Sequence, residues 1–212
     1  MLIKGIIIAF GLAAGMAWGQ TEWEVGALGG FSYARGVSVK GPAGSATAGF
    51  ANGGVLGVFG GNDMYEHWSG EVRYLYRFSN LRLSSGGTTV SFGGHTHIIH
   101  ADFLGHFAPR RARVRPFIAF GAGVKGVQGT GIESAGQPLG RLAALTHTSE
   151  LLGFADVGAG VKVSLTRSVR FRVEVRDYIS PKPTKVIAAA PGATLSGVLN
   201  DIVGTAGISF TF

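Results

Sequence analysis

Val169-Arg170-Phe171-Arg172-Val173-Glu174-Val175-Arg176 alternates without a break, apolar residues at the odd numbers and charged ones at the even. Period two sends successive side chains to opposite faces of an extended strand, so this segment has one hydrocarbon face and one face carrying four charges. Wound as a helix, the same residues would spread both kinds around the whole circumference. The segment is therefore a strand that separates a greasy environment from an ionic one.

Moving outward, the same alternation returns. Trp68, Gly70, Val72, Tyr74, Tyr76 and Phe78 oppose Ser69, Glu71, Arg73, Leu75, Arg77 and Ser79. Ile99, Ala101, Phe103, Gly105 and Phe107 oppose Ile98, His100, Asp102, Leu104 and His106. Ile118, Phe120, Ala122 and Val124 oppose Phe117, Ala119, Gly121, Gly123 and Lys125, and Gly121–Lys125 recurs in kind as Gly158-Ala159-Gly160-Val161-Lys162. In that second copy Val157, Ala159, Val161, Val163 and Leu165 share a face against Asp156, Gly158, Gly160, Lys162 and Ser164. The first segment pairs Trp23, Val25, Ala27, Gly29, Phe31 and Tyr33 with Glu24, Gly26, Leu28, Gly30 and Ser32, and the last runs from Ile202 to Phe212. A Gly-rich stretch from Gly49 to Gly60 reads as a further strand of undetermined phase, ending at a turn-like Gly61-Asn62-Asp63. The total is eight.

The connections have an order of their own. Gly61–Glu66, Ala108–Val114 and Thr166–Ser168 are short, and they alternate with long ones at Ala34–Ala48, Asn80–His95, Val127–Leu152 and Ile179–Asn200. Around an even number of strands this alternation gathers every long connection at one end and both chain ends at the other, as in barrels with external loops and periplasmic turns.

Composition agrees. The 212 residues include 36 Gly and only 15% charged residues, with a positive mean hydropathy. Apolar residues are plentiful but dispersed, and no uninterrupted run is long enough to span a bilayer as a helix. A chain this hydrophobic satisfies its backbone polar groups in lipid only by closing a sheet. The first nineteen residues read as a signal peptide, with Lys4 as the positive region, a short apolar stretch from Gly5 to Gly15 and small residues before Gln20. Residues 20–212 then form one barrel domain. Lys4 is the only charged residue of the leader, so its removal lowers the formal net charge of +7 by one. The basic residues form no run interleaved with aromatics, which argues against a nucleic-acid partner, and the absence of cysteine excludes disulfides and thiolate metal sites.

Two orientations fit the alternation. A soluble lipocalin-type barrel turns its apolar face inward and its charges to water. A membrane barrel reverses this, because Lys or Arg facing lipid near the midplane costs about 2–4 kcal/mol. Aromatic residues near the strand ends, among them Trp23, Phe31, Trp68, Tyr76, Phe78 and Phe107, suit an interfacial girdle and favour the second. The charged faces then line a narrow interior, where Glu24, Glu71, Asp102, Asp156 and Glu174 meet Arg73, Arg77, Lys125, Lys162, Arg170, Arg172 and Arg176, with His100 and His106 adjustable. Near-balance in sign is what a side-chain-filled barrel of eight strands requires.

Motifs for chemistry are weak. Gly121-Ala122-Gly123-Val124-Lys125-Gly126 satisfies G-x-G-x-x-G, yet no helix pattern follows it, so its glycines are read as easing barrel curvature. His95 and His97 share a strand face from which His100 points away, so these three cannot converge on a metal. His100, Asp102 and His106 share the inward face, where pairing with interior arginines is the simpler reading than acid–base catalysis. Arg110, Arg111, Arg113 and Arg115 cluster at a short turn, either solvated or against anionic headgroups. No catalytic, cofactor or metal site is expected.

The closing segment Ala206-Gly207-Ile208-Ser209-Phe210-Thr211-Phe212 resembles the sorting signal of bacterial outer-membrane β-barrel proteins, and Arg115-Pro116-Phe117 to Gly123 is similar to the fifth strand of small OmpA/OmpX-like barrels. The resemblance implies an all-β, eight-stranded antiparallel up-and-down transmembrane barrel in a Gram-negative outer membrane, without a peptidoglycan-binding domain. It implies that Phe210 and Phe212 are read by the barrel-assembly machinery. Outer-membrane lipids and lipopolysaccharide are the expected neighbours of a monomer, with a structural or surface-interaction role carried by four external loops. Some small outer-membrane barrels modify lipid A, so an enzyme is one alternative and a narrow channel another. The deacylase kind uses a membrane-facing His/Ser pair, which Gly105-His106-Phe107-Ala108-Pro109 does not supply.

Overall fold

A computed structural model describes residues 22–134 and 136–212. The expected signal peptide lies outside the described residues. In chain order the strands are β1 (Glu22–Arg35), β2 (Val37–Gly41), β3 (Gly44–Phe50), β4 (Gly53–Asp63), β5 (Trp68–Phe78), β6 (Leu81–Ser85), β7 (Thr88–Phe92) and β8 (Gly94–His106). They continue as β9 (Val114–Gly129), β10 (Ala143–Leu145), β11 (Ser149–Ser164), β12 (Val169–Ser180), β13 (Ile187–Ala189), β14 (Thr194–Ser196) and β15 (Leu199–Thr211).

Eight of these close a barrel in the order β1-β15-β12-β11-β9-β8-β5-β4, every neighbour antiparallel. They are the eight segments read from periodicity. Closure is made by the first and last, which pair from Glu24↔Thr211 to Arg35↔Asn200, with Trp23 and Phe212 exchanging backbone hydrogen bonds at 2.9 and 3.0 Å. A closed ladder leaves no edge, so every strand's N–H and C=O groups are paired without water.

Orientation is settled by which face is covered. On β12, Arg170, Arg172, Glu174 and Arg176 are buried while Phe171, Val173 and Val175 are exposed, Val175 to 54%. The same holds around the wall: Trp23, Phe31, Val58, Trp68, Phe103, Ile118, Val157 and Ile208 are exposed. The lipocalin-type arrangement is thereby excluded, because the hydrocarbon is outside and the ions are within.

Several strands run one to three residues further into the connections than the periodicity reading has them, and two places differ more. The Gly49–Gly60 stretch straddles the end of β3 and the start of β4. Gly61-Asn62-Asp63 is not a turn but the last part of β4, held in the ladder by pairing Asn62↔Gly70 and Asp63↔Ser69. Asp63 stays extended because its inward carboxylate accepts a hydrogen bond from Arg115 at 3.0 Å.

The long connections are not open loops. β14-β2-β3-β6-β7 form a second, five-stranded sheet, and β10 pairs with β13. One face of this cap is apolar by the same period-two rule: Val37 and Val39, Ala46 and Ala48, Leu81 and Leu83 turn inward. They bury against Phe92, Val127, Leu142, Leu145, Leu152, Val186, Ile187, Leu195 and Leu199, giving one apolar cluster fed by all four connections. The β6–β7 hairpin turns on Gly86 and Gly87, at φ +54° and +81°, the left-handed pair that a two-residue turn of matching twist needs.

Candidate functional site: a layered ionic lumen

The barrel interior is a stack of ion-paired layers. At the end with the short turns, Lys162 Nζ donates to Glu24 at 2.6 Å, Ser209 donates to the other Glu24 oxygen at 2.7 Å, and Arg170 reaches Glu22 at 2.8 Å. Arg115 and Asp63 pair beside them, and His106 Nε2 lies 2.8 Å from the Ser69 hydroxyl.

The middle layer is densest. Glu71 accepts from Arg73 Nε at 3.0 Å and from Arg172 Nη1 at 2.6 Å. Glu174 pairs with Arg73, accepts from Arg172 at 3.1 Å and Arg176 at 3.3 Å, and also takes the Thr205 hydroxyl. Arg176 Nη1 then bridges Asp156 at 2.9 Å and Asp102 at 3.0 Å, while His100 Nδ1 lies 2.8 Å from Asp102. The Arg172 guanidinium lies 4.4 Å from the Phe59 ring centre, so its flat face is covered as well as its edges.

The third layer is small. Arg77 and Lys125 each approach one oxygen of Asp201 at 2.9 Å, and the Phe50 ring lies 4.5 Å from the Arg77 guanidinium carbon. Phe50 belongs to the apolar cluster of the cap, so the ionic stack ends directly beneath a hydrocarbon seal.

All fourteen interior residues anticipated from alternation, Glu24 through Arg176, are buried. Three more join them: Asp63, Arg115 and Asp201. Arg115 sits not among the turn arginines facing outward but inside, one step along β9 where period two turns it inward. Asp201 lies near the start of β15, ahead of the segment whose periodicity is legible, and its cationic partners Arg77 and Lys125 are far away in sequence.

His100, Asp102 and Asp156 bring ligand atoms within 4.8 Å of one another, a grouping that sequence spacing does not reveal because Asp156 comes from β11. Arg176 lies on both carboxylates, so its guanidinium already supplies the positive charge that a metal would bring. The glycines of the G-x-G pattern make room for this cluster: a Cβ on Gly121 would stand 2.1 Å from Asp102 Oδ1. His95 and His97 face outward with Tyr74 and Tyr76, His97 Nδ1 lying 2.8 Å from the Tyr74 hydroxyl, away from His100.

The turns at the open end are stapled by charge. Glu66 accepts the backbone N–H of Arg110 at 2.9 Å, which holds its carboxyl below the ordinary carboxylate range, and Arg110 in turn donates to the Asp63 carbonyl at 3.0 Å. Arg115 adds a bond to the Glu66 carbonyl.

Comparison with solved structures places this architecture. Neisserial surface protein A superposes with a TM-score of 0.55 at 14% identity, covering 90% of this chain and 97% of that one. The outer membrane protein OprG of Pseudomonas aeruginosa gives 0.56 at 11% identity, covering 90% and 95%. At such identities the likeness is one of fold: the chain has the eight-stranded architecture of small outer-membrane barrels. No protein-family model matches the sequence, and no curated protein matches it either.

Proposed function

We propose that the chain is an integral outer-membrane barrel whose ordered external cap is its working surface, with a structural or surface-interaction role. The observation that carries this is the inversion of faces: a continuous apolar exterior around a charged, ion-paired interior is stable only where hydrocarbon replaces water outside. The likeness in fold to Neisserial surface protein A and OprG supports the same location. Phe210 and Phe212, both exposed on the outer wall, are the groups the assembly machinery would read, and lipid and lipopolysaccharide would surround a monomer.

The interior argues against the channel reading. Three layers of ion pairs fill the lumen and Phe50 with the cap cluster closes it, leaving side chains where an ion would have to pass. A lipid-modifying enzyme is tested by mass spectrometry of lipid A with and without the protein.

The cap reading is tested by topology on whole cells. The sequence contains no cysteine, so Thr88→Cys at the β6–β7 tip and Ser168→Cys in the β11–β12 turn give clean single-site probes. A membrane-impermeant thiol reagent should label position 88 on intact cells and position 168 only after the outer membrane is opened. Labelling of both on intact cells, or of neither, would overturn the proposal.

A further inference from the structure

At the end opposite the cap, a cleft of about 800 Å³ opens between the β8–β9 and β11–β12 turns. Five arginines line it, at 110, 111, 113, 167 and 170, against two acids, Glu22 and Glu66. Both acids are engaged: Glu22 by Arg170, and Glu66 by the Arg110 backbone. Arg110 and Arg170 are likewise spent on holding the turns and the barrel floor. Arg111, Arg113 and Arg167 are exposed and have no ionic partner among the described residues. Even Arg170, 5% exposed at the cleft floor, keeps one nitrogen, Nη1, without a hydrogen bond, its nearest carboxylate oxygens standing 3.6 Å away.

The local folding holds these guanidiniums around one concavity. Ala112 N–H closes a turn on the Pro109 carbonyl, and the Thr166 hydroxyl accepts the N–H groups of Ser168 and Val169, so Arg111 and Arg167 project from tight, internally bonded turns. Ser164 N–H bonds the Arg113 carbonyl and locks the two walls together. Guanidinium groups are planar forks that match phosphate oxygens two at a time. Leu165 lines the same cleft and is exposed, as is Val114 beside it, so the rim is apolar on the side of the barrel wall.

We infer that this cleft binds a phosphate-bearing anion, namely the headgroup of an anionic phospholipid of the periplasmic leaflet, with Arg111, Arg113 and Arg167 gripping the phosphate and Leu165 meeting the first methylenes of the chain. The lipid source rests on the membrane reading above. The phosphate chemistry rests on the cleft alone.

The test is native mass spectrometry of the full chain released from nanodiscs of phosphatidylglycerol mixed with phosphatidylethanolamine. The wild type should retain one phosphatidylglycerol in preference to phosphatidylethanolamine. The triple variant Arg111→Gln, Arg113→Gln, Arg167→Gln should lose that retention by about a hundredfold, each basic residue at an anionic surface contributing roughly a fivefold share. A control with the same charge change at the cap end of the molecule, Arg35→Gln, Lys40→Gln, Arg141→Gln, should retain lipid like the wild type. Equal retention in the cleft variant and the wild type, or equal loss in the cap control, would overturn the site. Inorganic phosphate binding that depends on the three arginines, with no preference for phosphatidylglycerol, would overturn the lipid source. Heat-dependent gel mobility of each variant reports barrel closure, so a failed membrane reading is separable from a failed site.

Discussion

Glu174 is the residue on which the interior turns, because three guanidiniums, those of Arg73, Arg172 and Arg176, converge on its two oxygens. Removing one partner from a buried ionic cluster leaves uncompensated charge and costs about 3–5 kcal/mol. Glu174→Gln should therefore lower unfolding stability in detergent by that order, measured by denaturant titration, whereas Val175→Leu on the outer face should change it little. Gly121→Ala is expected to destabilise by about 1–3 kcal/mol, since the added methyl would overlap Asp102 Oδ1 and the Ala101 carbonyl. At the turns, the lowered Glu66 pKa fixes the sign of a pH effect. Its contribution is present above the unfolded glutamate value of about 4.3 and is lost as pH falls through the lower folded value. Glu66→Gln should flatten that part of the acid limb of a stability–pH curve. At this scale the sequence is informative wherever alternation is unbroken: the even positions of β12 and the odd positions of β5 mark their own interior. It was silent on Asp63 and Asp201, whose roles come from partners 52 and 76 positions away, Arg115 and Lys125.

At the scale of the element, barrel strands and cap strands obey the same period but carry it over different lengths. β11 and β9 run for 16 residues, long enough for the pattern to stand out, whereas β2, β6 and β7 have 5 and β10, β13 and β14 only 3. A five-residue alternation rich in Gly, Ser and Thr is indistinguishable from a loop until its neighbours in space are known, so periodicity alone gives four loops where a folded cap exists. The cap nonetheless has its own apolar core, so it should fail separately from the barrel. Leu83→Asp buries an unpaired carboxylate within that core. Limited proteolysis of whole cells should then cut within the 127–152 or 179–200 connections, while the purified variant keeps heat-dependent mobility. Cleavage no faster than wild type would show that the cap does not depend on its core.

For the whole molecule, the surrounding solvent decides which face is apolar. The chain places hydrocarbon where a soluble protein places polar groups, and it fills its centre with salt bridges. Planar-bilayer recording should accordingly show no steady conductance from the intact protein. The sequence contains no cysteine, so a spin label can be attached at a single introduced position on the outer wall, Val58, Val157 or Val173. In lipid vesicles these labels should be relaxed strongly by dissolved oxygen, which concentrates in hydrocarbon, and weakly by a water-soluble nickel chelate. Labels at all three positions relaxed chiefly by the nickel chelate would contradict the account, for they would put water against the face on which every other conclusion depends.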